Sequence, residues 1–108
     1  MEISFLEKSD RRLCENEAVA VRQLGSNVAD KLKRRLADLR AATCVKDIAV
    51  GNPREVTGAK HQISIDLCEG YSITFCAGHN IIPVLQSGAI DWGRVNRIKI
   101  LKIENHYG

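Results

Sequence analysis

The chain has 108 residues, of which 44% are hydrophobic and 27% charged. That is ordinary globular composition and excludes a disordered or low-complexity segment, while two prolines and eight glycines exclude a proline-rich linker or a collagen-like repeat. Sixteen Lys and Arg against thirteen Asp and Glu leave a net charge of +3, a surplus that permits nucleic acid as a partner without requiring it.

A chain of this length buries somewhat over ~60% of its extended surface, enough for one domain and one modest core. Ile3 to Leu6 is short and apolar enough for an edge strand. Ser9 and Asp10 then offer helix N-caps, and a short helix is expected after them. Leu24-Gly25-Ser26-Asn27 is a break carrying another N-cap candidate. Val28, Leu32, Leu36 and Leu39 recur at spacings of four and three, one stripe of an amphipathic helix that ends at Ala41-Ala42. Thr43 is placed to cap a further turn through Val45 to Ile48, and Gly51-Asn52-Pro53 stops it.

The second half changes period. Gln62 to Leu67 alternates strictly, as does Tyr71 to Phe75. Joining them through a two-residue turn mixes polar and apolar side chains on both faces. A three-residue loop, Cys68-Glu69-Gly70, pairs Leu67 with Tyr71, Ile65 with Ile73 and Ile63 with Phe75, and puts Gly70 where a left-handed residue is needed. One face is then apolar, and the other shows Gln62, Ser64, Asp66, Ser72, Thr74 and Cys76. Val95 to Ile103 is a third strand in which Ile98 and Ile100 share a face while Leu101 and Ile103 fall out of phase. A bulge, or cover on both sides, is expected there. The stretch from Ala77 to Arg94 is long for a strand connection, and Trp92 is expected to pack it onto the sheet.

No apolar run approaches ~18 residues, so no membrane partner is expected. Residues 1–8 lack the basic stretch and apolar core of a signal peptide, which makes the expected location cytoplasmic. Cys14, Cys44, Cys68 and Cys76 form no CxxC pair. Cys76 and His79 are spaced like two zinc ligands but have no second pair to complete a site, so no metal and no cofactor are expected. The cysteines read as small buried or half-buried hydrophobes.

The order strand, two helices, three sheet strands and a polar-aromatic end resembles the RelE/HigB superfamily, the toxin halves of bacterial type II toxin–antitoxin pairs. Lys33 to Leu39 with Ala41-Ala42-Thr43 resembles the family's second helix and its end. Gly51-Asn52-Pro53-Arg54 to Gly58 is similar to the loop entering its sheet, and Ser64-Ile65, Tyr71 and Ile73-Thr74-Phe75 to its hairpin. Ile103-Glu104-Asn105-His106-Tyr107 is similar to its C-terminal motif. The likeness runs from about Val28 to Tyr107, and residues 77–94 resemble an insertion found in longer HigB-like chains. It implies an α+β, RelE-like fold in which an N-terminal strand and two helices pack on a small antiparallel sheet.

The resemblance also implies an activity: a metal-independent, ribosome-dependent mRNA endonuclease that cuts the A-site codon with the RNA 2′-OH as nucleophile. Its partners are the ribosome, mRNA and a helix-turn-helix, HigA-like antitoxin. Such chemistry needs a group to take the 2′-OH proton, cations for the phosphate and a donor to the leaving 5′ oxygen. Carried over by position, His106, Tyr107 and Lys60 are the expected catalytic residues. Arg54, His61, Arg97, Lys31, Arg34 and Arg35 are the expected RNA-binding ones. His106 is an imidazole suited to proton transfer near neutral pH; Tyr107 is a donor to the leaving oxygen or a stacking ring. The family's hairpin arginine falls on Ser72, and its terminal Tyr-His is inverted. These departures sustain a rival reading, a RelE-fold binding protein that holds its antitoxin without cutting RNA. The Lys31–Arg40 face is either a solvated helix face with pairs such as Asp30–Arg34 or a contact for RNA backbone. No helix-turn-helix pattern is present, so the chain is not read as a DNA-binding antitoxin.

Overall fold

The computed structural model describes residues 1–59 and 61–106. Strand β1 (Glu2–Phe5) is followed by three helices, α1 (Lys8–Glu15), α2 (Glu17–Leu24) and α3 (Ser26–Ala41). Strands β2 (Arg54–Glu55), β3 (Gln62–Asp66), β4 (Tyr71–Ala77) and β5 (Arg97–Asn105) complete a five-stranded sheet of order β1-β5-β4-β3-β2. The architecture is α+β as expected, but with three helices rather than two. The sheet is mixed rather than wholly antiparallel, because β1 runs parallel to β5.

The extra helix boundary lies at Asn16. Its backbone is extended and its side chain accepts the Val19 N–H at 3.2 Å, so one residue ends α1 and caps α2. Ser9 and Asp10, expected as caps, lie inside the first turn of α1 instead. The Asp10 carboxylate accepts the Ile103 N–H on the stretch of β5 beyond the end of β1; burial and Glu7 nevertheless push its pKa up. Gly25, at φ +86°, separates α2 from α3 and takes the place of the expected side-chain cap. The Met1 α-amine donates to the carbonyls of Leu39, Arg40 and Ala42 at 3.2, 2.7 and 2.9 Å, placing a positive group on the C-terminal end of α3.

Val28, Leu32, Leu36 and Leu39 of α3 pack with Ile63, Ile65, Ile73, Phe75, Ile98 and Ile100 of the sheet in one core. The hairpin has the expected register, with Ile63 opposite Phe75 and Ile65 opposite Ile73. Its loop closes through Leu67 N–H to the Tyr71 carbonyl at 2.9 Å, with both Glu69 and Gly70 left-handed. The expected irregularity of the third strand is a bulge. Thr74 pairs with Lys102 and Phe75 with Ile100, so Leu101 is the surplus residue and Ile103 returns to the apolar face. Trp92 packs partly buried against the core, tying residues 78–96 to it as expected.

Two outcomes test this packing. A Cβ at Gly78 meets backbone atoms of Ile98 at 3.0 and 3.2 Å. Gly78→Ala is therefore expected to lower unfolding free energy by about 1–3 kcal/mol in urea denaturation, by forcing β5 away from the end of β4. Burial, with Asp10 adding to it, pushes the Cys14 thiol up to about 12. Its thiolate forms only near that pH, so Cys14 is expected to resist iodoacetamide in the native protein at pH 8 and to label once unfolded, as read by peptide mass spectrometry.

Candidate functional site

Residues opposite one another in a ladder share a face, and the pairing sorts the sheet into two. The helices cover the apolar face. The other face carries Arg54 of β2, Ser64 and Asp66 of β3, and Ser72, Thr74 and Cys76 of β4. Beside these lie Lys99, Lys102 and Glu104 of β5. Ser72 and Thr74 are 0% and 2% exposed, whereas Arg54, Lys102 and His106 reach solvent. Small hydroxyls thus floor the middle of this face while longer charged side chains rise around them.

His106 sits where β5 passes the hairpin loop. Its backbone N–H donates to the Gly70 carbonyl at 2.9 Å, and its Nε2 lies 2.6 Å from Ser72 Oγ. Glu104 Oε1 approaches the same nitrogen at 3.9 Å. A serine, an imidazole and a carboxylate are therefore adjacent, but not in the order of a nucleophilic triad. That arrangement requires the carboxylate on the ring nitrogen opposite the serine. Here both fall on Nε2, and the serine is buried. Ser72 is a support for the ring, not a nucleophile.

A groove of about 380 Å³ runs beside the imidazole, lined by Arg54, Asp66, Tyr71, His106 and the hairpin loop. Arg54 crosses it to Asp66 at 2.8 Å, while Lys102 meets Glu104 at 3.3 Å. These are exposed pairs, each worth ~1 kcal/mol or less. An incoming phosphate competes with such carboxylates at small cost and gains a charge-assisted contact.

The other expected residues are dispersed. Lys60 and Tyr107 lie outside the described residues. His61 occupies a turn at φ +73° just before β3, roughly 17 Å along the strand from Asp66 at the His106 end, at ~3.3 Å per residue. Arg97 pairs with Glu2 at 3.0 Å, eight positions before Asn105, at the far end of β5. Lys31 and Arg34 are on α3, across the core from the polar face, with Arg34 held by Asp30 at 3.2 Å as anticipated. Arg35 is 18% exposed in its side chain; it donates to the Asp66 carbonyl and to Asp38, both at 3.3 Å. Its geometry is that of a brace between α3 and β3. His79 accepts the Asn96 N–H at 3.1 Å through Nε2.

Lys102, Glu104 and Asp66 enter the candidate site without having been singled out in the sequence. Lys102 is recognisable once the bulge is placed, since it stands directly across from Thr74.

Comparison with protein-family models, with curated proteins and with solved structures finds no match for this chain.

The two arginines bound to Asp66 are expected to behave oppositely. Arg35→Ala removes a half-buried stem and a bond to a strand carbonyl and is expected to cost about 1–2 kcal/mol in thermal or urea unfolding. Arg54→Ala severs an exposed pair and is expected to leave stability within about 0.5 kcal/mol.

Proposed function

We propose that the chain is a HigB-like member of the RelE/HigB superfamily, a toxin that cleaves mRNA on the ribosome and is neutralised by a helix-turn-helix antitoxin. The observation that carries this reading is His106, fixed at the rim of an exposed groove beside Arg54, on the sheet face turned away from the helices. Attack of an RNA 2′-OH on its own phosphate needs a base for one proton and cations for the charge that develops on phosphorus. The imidazole supplies the first, and Arg54 and Lys102 supply the second. The reaction joins the 2′ oxygen to phosphorus and expels the 5′ oxygen of the next nucleotide, which takes a proton to leave as a hydroxyl. Lys60 and Tyr107 are the residues proposed for that donation, from the resemblance alone.

A second reading rests on Ser72. Where the family carries a phosphate-neutralising arginine, this chain has a fully buried hydroxyl bound to His106. A domain of this shape then holds its antitoxin, or the ribosome, without cutting RNA. Restoring the arginine does not separate the readings. Ser72→Arg puts a guanidinium where no solvent reaches and displaces His106, so loss of fold is its expected outcome.

Primer extension on programmed ribosomes is the deciding experiment. Cuts confined to the A-site codon, absent without ribosomes, are expected from the wild-type chain, with His106→Ala slower by about 10²–10⁴-fold. Lys102→Ala and Arg54→Ala are each expected to flatten the salt dependence of binding to single-stranded RNA by about 0.7 in log–log slope. A folded chain that binds an antitoxin yet leaves the A-site codon intact would establish the second reading instead.

A further inference from the structure

Among the described residues, the Ser72 and Glu104 contacts of the His106 ring both fall on one nitrogen. Nε2 faces the buried Ser72 hydroxyl at 2.6 Å and the Glu104 carboxylate at 3.9 Å. A carboxylate beside Nε2 favours a proton on that nitrogen, and an N–H there has the Ser72 oxygen as its acceptor at full hydrogen-bond strength. The His106 backbone is held by Gly70 and the preceding residue is paired with Tyr71, so the side chain is tethered at its root as well as at Nε2.

We propose that Ser72 is a positioning residue that locks neutral His106 in the Nε2–H tautomer, leaving the Nδ1 lone pair as the working base. This deepens the ribonuclease reading and rests on it for the identity of the proton donor. In the reaction Nδ1 takes the proton of the 2′-OH as the 2′ oxygen bonds to phosphorus. The imidazolium that results keeps Nε2–H on Ser72 Oγ, so protonation proceeds without rearranging the tether. A serine serves here where an arginine does not. Its hydroxyl accepts from Nε2–H, whereas an arginine is a donor only and cannot satisfy that proton. The position that departs from the family pattern thus serves the imidazole instead of the phosphate.

The tautomer is directly measurable by two-bond ¹H–¹⁵N correlation spectra of the neutral protein. His106 is assigned among the three histidines by the signal missing in His106→Ala. Wild-type protein is expected to show a pyridine-like Nδ1 and a pyrrole-like Nε2. Ser72→Ala, which removes one oxygen and keeps the strand, is expected to shift both nitrogens toward the averaged values of exchanging tautomers. In ribosome assays the same variant is expected to lose about 10- to 100-fold in kcat with KM within about twofold, and Ser72→Thr to recover part of it. A pyrrole-like Nδ1 in the wild-type protein overturns the proposal without any variant. So does a His106 spectrum unmoved by Ser72→Ala, or an unchanged kcat. The expected spectra from a chain that cuts no RNA would leave the tether standing and remove the ribonuclease reading.

Discussion

Strand β4 is buried on both faces, and the two faces are buried by different chemistry. Ile73 and Phe75 are sealed against the helices, while Ser72 and Thr74 are sealed beneath long charged side chains of their neighbours. Hydroxyls are small enough to sit under such a canopy; Ser72 has His106 as its partner, and no buried side-chain polar atom among the described residues lacks one. A larger residue at 72 or 74 raises the canopy and an apolar one removes the anchor for what stands above it. The order of the site descends from this strand, since β3 and β5 take their register from it on either side.

The hairpin was legible in the sequence because its two strands alternate without interruption, and only one loop length keeps Ile63, Ile65, Ile73 and Phe75 together. The polar face followed from the same alternation. The third strand was legible only in part. Alternation breaks at Leu101, and a break shows that something intervenes without saying which residue is surplus. Lys102 and Glu104 could not be assigned a face until the pairing of Thr74 was known. The separation of α1 from α2 was missed because Asn16 reads as a polar helix residue until its side chain is seen capping Val19. The parallel pairing of β1 joins residues more than ninety positions apart, and no local pattern encodes such a partner.

The basic residues are sorted by the fold into different tasks. Arg35 is spent on structure, Arg34 on its own helix, and Arg97 on the N-terminal strand. Among the described residues, those left near His106 are Arg54 and Lys102, each leaning on a carboxylate that solvent already screens. The face is therefore close to neutral at rest and becomes a cation pair only when an anion draws those side chains away from Asp66 and Glu104. Such an arrangement binds phosphate weakly in isolation and gains most where a second surface positions the RNA, as a ribosome does in the proposed function.

The surplus residue at Leu101 also sets how this domain tolerates change in length as distinct from change in identity. Upstream of it, odd-numbered positions of β5 point to the polar face; downstream, even-numbered ones do. Loss of Leu101 alone removes the surplus residue and leaves Lys102, Glu104 and His106 in plain alternation on the polar face, whereas loss of residue 102 or 103 with the bulge in place turns the residues after it toward the core. No single substitution on the strand does as much. The long connection between β4 and β5 carries no such phase and can gain or lose residues. The last strand is thus open to rewriting letter by letter, and to the loss of a letter only at its bulge.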